Sequence, residues 1–170
     1  MNDQSAADRW GEERTTFQRV YDLIVGTREF ERAGTFAERA DCSETAARNA
    51  LEQLTEMGIA RRREGRPAAY RRNDSYFRWK RIESLASEHS PTELRRRVDE
   101  LIDRDAAFQD RYDVPDPETV GTDDLPVDDH EALHERWEDL REWRTLRRDI
   151  RVLREAVERA ESRSDDGVPA

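Results

Sequence analysis

Thr35-Phe36-Ala37-Glu38-Arg39-Ala40-Asp41-Cys42-Ser43-Glu44-Thr45-Ala46-Ala47-Arg48-Asn49-Ala50-Leu51-Glu52-Gln53-Leu54-Thr55-Glu56-Met57-Gly58, running on to Arg72, is the stretch that decides the fold. Thr35 to Ala40 predicts a short helix, and Asp41-Cys42 a turn. Ser43 opens a second helix reaching about Met57, because its hydroxyl can accept a free N–H of the first turn. Glu44 suits the positive end of that helix dipole. Ala47, Leu51 and Leu54, with Ala50 a further candidate, fall at helical spacing and make a narrow inward face. The small residues Ala46, Ala47 and Ala50 let the two helices approach closely. Gly58 stands where a helix stop needs positive φ. Ile59–Glu64 and Ala68–Arg72 then predict two short strands, joined by the turn residues Gly65-Arg66-Pro67. The order is helix, turn, helix, hairpin. The fold class expected is mainly α with a small β-hairpin wing.

Ser43 to Ile59 resembles the recognition helix and following strand start of winged helix-turn-helix transcriptional regulators, of the ArsR-like, MarR-like and TrmB-like types of archaea. Ala47 matches a buried small aliphatic, Leu51 and Leu54 match core leucines, and Gly58-Ile59 matches the turn into the wing. The resemblance covers roughly residues 15 to 75. It implies a DNA-binding domain over 1–75 whose 43–57 helix enters the major groove of double-stranded DNA. The base-facing positions are then Glu44, Thr45, Arg48, Asn49 and Gln53, with Ala46 among them. Arginine can read guanine and asparagine adenine through paired hydrogen bonds. The other reading of Arg48 and Asn49 is as solvated helix positions. The cysteine pairs of many ArsR-like metal sensors are absent.

From Ile59 to Arg81 the chain holds nine basic residues and two acids, a net +7, whereas the whole chain is −10 and the remainder therefore −17. A basic hairpin inside an acidic chain is a phosphate-binding footprint. Arg61, Arg62, Arg63, Arg66, Arg71 and Arg72 are its candidate phosphate contacts, positioning the protein without reading sequence. The alternative is a hairpin that solubilises itself or pairs with acidic helices.

Composition narrows the class further. A chain of 170 residues allows one or two small domains. Hydrophobic residues make up 35% and charged residues 41%, with a mean hydropathy of −1.11, so the core must be small and helical. No apolar run approaches the ~20 residues of a membrane span, and no signal-peptide pattern is seen, which predicts no membrane association and a cytoplasmic location. Cys42 is the sole cysteine, so no internal disulfide forms. Lys80 is the only lysine beside 29 arginines, and with 40 acids and a pI near 4.9 the composition resembles that of salt-loving archaea. Phosphate binding by counterion release weakens steeply with salt. In molar salt, hydrogen bonds and shape have to carry more of the affinity.

Around this centre, Phe17, Val20, Tyr21 and Ile24 predict a first helix from about Thr15 to Val25, ended by Gly26. Trp10 is either a dimer contact or part of its own domain. Glu29 to Gly34 reads as a loop, with Thr35 capping the next helix. Tyr76, Phe77, Trp79, Ile82 and Leu85 predict a helix leading out of the wing. Its aromatics among arginines suit base stacking on single strands or, as such spacing more often means, core and dimer contacts. Thr92 reads as the cap of a helix to about Tyr112, with Leu94, Val98, Leu101, Ile102 and Phe108 as its stripe. Residues 76–112 are thus a helical connector or dimerisation region. Residues 113–129, with Pro115, Pro117, Pro126 and six aspartates, form an acidic linker, read as a solvated loop.

Residues 130–162 predict a long amphipathic helix. Leu133, Trp137 and Leu140 give one register; Trp143, Leu146, Ile150, Leu153, Val157 and Ala160 give a second, after a three-residue step. Its partner is the same helix of a second chain, or residues 92–112 of either chain. Residues 163–170 read as a disordered tail.

His130-Glu131-Ala132-Leu133-His134 matches the zinc-protease spacing, but it opens a long charged helix and has no evident third ligand. No metal, cofactor or enzyme activity is expected. Cys42, in the turn, is either a thiol sensor or a small packed residue. The function expected is a sequence-specific DNA-binding regulator, acting as a homodimer, with any small-molecule effector unspecified. The alternative is a non-catalytic protein-interaction module using the winged helix and the long helices.

Overall fold

The computed structural model describes residues 14–120 and 130–166. Among these the protein is mainly helical, with six helices and one three-stranded antiparallel sheet. The chain divides into two compact units that part after Phe77.

The first unit contains α1 (Thr16–Gly26), β1 (Glu31–Arg32), α2 (Ala33–Arg39), α3 (Glu44–Glu56), β2 (Ala60–Arg63) and β3 (Ala69–Arg72). Thr15 caps α1 in a reciprocal box: its Oγ1 accepts from the Gln18 N–H at 3.2 Å, and Gln18 Oε1 accepts from the Thr15 N–H at 2.9 Å. Ser43 caps α3, accepting from the Ala46 N–H at 3.2 Å. Gly58 has φ +74°, in the left-handed region, and ends the α3 turn as its position in the sequence predicts. Val20, Ile24, Phe36, Ala47, Leu51, Leu54 and Tyr70 close one core between α1, α2, α3 and the sheet.

Two local expectations are corrected here. Thr35 caps nothing: α2 starts at Ala33, with Arg32 at the cap position and no side-chain cap. The cause is the second correction, since residues 29–34 are not simply a loop. Glu31 and Arg32 pair with Tyr70 and Ala69, so the chain leaves the sheet directly into α2. The hairpin therefore belongs to a sheet of order β1-β3-β2.

Helix α4 (Asp74–Glu88) begins in the first unit, and its larger part belongs to the second, with α5 (Pro91–Tyr112) and α6 (His130–Asp166). The cap of α5 is Ser90 and not Thr92. Ser90 Oγ accepts from the Glu93 N–H at 3.3 Å, Glu93 Oε2 accepts from the Ser90 N–H at 2.9 Å, and Pro91 fills the first helical position. α5 and α6 run antiparallel, tied by Arg95–Glu161, Arg104–Glu142 and Arg111–Asp139 ion pairs. α4 lies parallel to the end of α6, through Arg78–Glu155 and Arg159–Glu83. The apolar stripe of α6 thus finds its cover within its own chain.

That stripe departs from the expected registers at both ends. Trp137 is 54% exposed. Asp139 and Arg136 take the inward positions there, meeting the Tyr112 hydroxyl and ring. Towards the other end Ala156 is fully buried with Leu85, Ala86 and Leu94, because only a small side chain fits where α4 and α5 converge. Residues 113–120 are also more than a solvated loop. Pro117 is buried, Val114 and Val120 pack onto the Trp143 cluster, and Arg147 donates to the Pro115 carbonyl at 2.5 Å. α6 continues through part of the stretch read as a tail. Trp10, residues 121–129 and residues 167–170 lie outside the described residues. Among those described, no helix is long and apolar enough to cross a membrane.

Candidate nucleic-acid interface

α3 buries Ala47, Ala50, Leu51 and Leu54 and leaves Glu44, Thr45, Arg48, Asn49 and Gln53 exposed. The structure thus places all five candidate base-facing residues on the solvent side of one helix. Arg48 is not idle there. Its guanidinium meets Glu44, one turn back, at 2.5 Å, with both side chains about half exposed. Glu44, Glu52 and Glu56 against the single Arg48 make the helix itself acidic. Between α3 and the hairpin lies an open groove of about 340 Å³, lined by Glu44, Arg48, Glu52, Arg62 and Arg66 among others.

The sheet register sorts the hairpin arginines into sets. Partners across an antiparallel pair share a face, and alternate residues point to opposite faces. Tyr70 is 1% exposed and marks the core face, which its partner Arg62 shares. Arg72, paired with Ala60, is on that face too. It donates to the Val25 carbonyl at 2.9 Å, pairs with Asp74 at 2.9 Å and lies 4.5 Å over the Phe77 ring. With its side chain 19% exposed, Arg72 holds the base of the hairpin. Arg61 and Arg71 are partners, and Arg63 is the partner of Ala69, so these three arginines occupy the opposite, outer face. Arg66 is exposed in the turn.

Two residues at this interface escaped sequence reading. Phe30 sits beneath both Arg63 and Arg71, whose guanidinium carbons lie 4.5 and 4.9 Å from its ring centre. Such contacts pin long side chains that otherwise wave in solvent. Asn73 clips the hairpin base: its Nδ2 donates to the Gly58 carbonyl at 2.7 Å, and its Oδ1 accepts from Arg61 Nε at 3.0 Å. An asparagine after a strand is an ordinary sequence signal for a turn, and nothing in its spacing named either partner.

A profile describing a family of unknown function (DUF7342) matches residues 14–161. The chain belongs to the DUF7342 family. No curated protein and no solved structure matches it. The DUF7342 match spans residues of both compact units, so the α3 surface and the α5–α6 pair fall within one family region.

His134 Nε2 lies 3.3 Å from Glu138, both strongly exposed, and among the described residues no group of three His, Cys, Asp or Glu is placed to hold a metal ion. Cys42 is half-buried and packs against the first core.

The second unit holds a polar node. Asp105 accepts from Trp143 Nε1 at 2.6 Å, Arg147 Nε at 2.7 Å and Gln109 Nε2 at 2.6 Å. Burial pushes its carboxyl up, but the hydrogen bonds from Arg147, Trp143 and Gln109 outweigh this and hold it below the usual carboxylate range. Burial, with a hydrogen bond to Asp139, pushes the Tyr112 hydroxyl up to about 12. Both groups join α5 to α6, and Tyr112 also lines an open cavity of about 680 Å³ with Arg111, Glu135 and Arg136.

Proposed function

We propose that this chain is a sequence-specific DNA-binding transcriptional regulator of winged helix-turn-helix type, working as a pair of chains on a two-fold site. α3 is its recognition helix and β2–β3 its wing. The observation that carries this reading is the exposed polar row Thr45, Arg48, Asn49 and Gln53 on a capped helix, of which Arg48 also lines a groove with Arg62 and Arg66 of the hairpin. Amide and guanidinium groups at such positions can form paired hydrogen bonds with base edges. Arginines beside them can hold phosphates and fix the register. The cytoplasm is the corresponding location, and no chemistry on the substrate is required.

A second reading is favoured by the acidity of α3. Glu44, Glu52 and Glu56 are exposed on the same helix and repel phosphate. A protein-interaction module, docking a basic partner on α3, would use them directly. Cross-linking and sequencing of DNA bound to the tagged protein in its own cells separates the two. Sharp peaks sharing a two-fold motif, lost in Arg48→Ala, support the regulator. Absence of enrichment over an untagged control, with the protein well expressed, sinks it in favour of the interaction module.

A further inference from the structure

The cavity of about 680 Å³ at the end of α5 is lined by Arg111 to Val114 and by Ala132, Glu135 and Arg136 of the first turns of α6. Volumes of this size take small ligands. Four of the lining residues are charged, two of each sign. They are not equivalent. Arg111 and Glu135 are matched within the chain: Arg111 pairs with Glu135 at 3.2 Å and with Asp139 at 2.7 Å. Arg136 and Asp113 take part in no ion pair among the described residues.

Arg136 is half-buried, with its guanidinium carbon 5.0 Å from the Tyr112 ring centre. Its Nε is out of reach of solvent and has no acceptor, a condition it shares with Arg71 of the sheet. The ring face offsets only part of what a carboxylate gives a guanidinium in such a place. What sets Arg136 apart is its company. Asp113 lines the same cavity, ending α5 at φ 53° with its carboxylate exposed. The two side chains do not reach each other, so a molecule carrying both signs can satisfy both at once.

We propose that this cavity binds a small zwitterion, a free α-amino acid, with its carboxylate on Arg136 and its ammonium on Asp113. A guanidinium fork matches a carboxylate bidentately. An ammonium only donates and needs an acceptor, which Asp113 supplies. A plain anion would meet repulsion from Asp113, and a plain cation repulsion from Arg136. Val114, Ala132 and the Tyr112 ring give the ligand's own side chain an apolar neighbour. The site lies in the second unit and goes beyond the reading of α3.

The test scans the full chain by differential scanning fluorimetry with each standard L-amino acid, and calorimetry gives the affinity of the best. At least one should raise the melting temperature. Its N-acetyl derivative, without the ammonium, and its amide, without the carboxylate, should each bind about tenfold more weakly. Asp113→Asn keeps the left-handed backbone, which asparagine tolerates. It should bind the amino acid about tenfold more weakly and no longer distinguish it from the N-acetyl derivative. Arg136→Gln should likewise fail to distinguish the amino acid from its amide. If that variant does not fold, Arg136→Lys keeps the charge without the fork and should show a smaller loss. Arg154→Gln, exposed farther along α6, should leave the affinity unchanged.

No stabilisation by any amino acid, or derivatives that bind as tightly as the parent molecule, would overturn the proposal. So would full affinity in Asp113→Asn, which would leave a plain anion site. An equal loss in Arg154→Gln would do the same, by showing loose attraction to surface arginines. Binding is measured without DNA, so this proposal and the reading of α3 fail separately.

Discussion

Asp105 and Arg147 are locked across the α5–α6 pair, Nε 2.7 Å from one carboxylate oxygen and the second guanidinium nitrogen 3.3 Å from the other. Trp143, one turn before Arg147, donates to the same carboxylate. Asp105→Asn keeps the shape and removes the charge. It should lower stability by ~1–3 kcal/mol, because three donors, from Trp143, Arg147 and Gln109, lose a charged acceptor in a half-buried site. Urea unfolding followed by circular dichroism measures it; no change in the midpoint would show the node to be ornamental.

The same carboxyl has a pH consequence. Its folded value is held below the unfolded one, so its stabilisation is complete above the ordinary aspartate range. It is lost as pH falls through the folded value. Acid unfolding of the parent chain should therefore be steeper than that of Asp105→Asn, and the two stabilities should converge at the acid end.

Tyr112 gives the mirror case at high pH. Its neutral form is favoured by burial and by the hydrogen bond to Asp139, with the hydroxyl pushed up to about 12. That stabilisation is full below the ordinary tyrosine range and disappears as pH rises through 12. Ultraviolet titration should show a late tyrosine phase that is lost in Tyr112→Phe and shifted to lower pH in Asp139→Asn. A titration curve unchanged at high pH in Tyr112→Phe, apart from its amplitude, would contradict this.

Gly58 has φ +74° and open space where a Cβ would stand. Gly58→Ala meets no clash and suffers only the left-handed backbone, so about 1–2 kcal/mol should be lost. Gly58→Asn should lose less, since asparagine tolerates that conformation. Equal melting temperatures for parent and alanine variant would refute the cause given.

On the proposed reading of α3 as a recognition helix, Arg48 has to leave Glu44 before it can reach a base. Glu44→Gln frees it and removes a charge that repels phosphate. Affinity for mixed-sequence DNA should rise by roughly three- to tenfold, while discrimination between the selected site and mixed sequence should fall. Competition binding with both duplexes reads the two effects at once; unchanged discrimination would separate Glu44 from base reading.

Local signals were legible wherever one residue sets one conformation. Ser43, Gly58 and the Gly65-Arg66-Pro67 turn stand where their chemistry predicts, and Ala47, Leu51 and Leu54 are buried. Strand β1 was not legible, because two residues carry no periodicity and pairing with β3 depends on residues far along the chain. Ser90 and Thr92 both have good cap chemistry, and Pro91, which suits the first helical position, decides for Ser90. The inward turn of α6 at Arg136 and Asp139 was hidden because Tyr112 supplies the polar partner that makes burying them tolerable. The split of the hairpin arginines was implicit in strand alternation, yet it becomes readable only once the core face is fixed by Tyr70.

Every cation on the Phe30 face is a guanidinium, and the chain's one lysine, Lys80, lies elsewhere in α4. Acyl groups that silence lysines therefore have nothing there to modify. The modification that can reach such side chains is methylation, which leaves the charge and blunts the hydrogen-bonding forks.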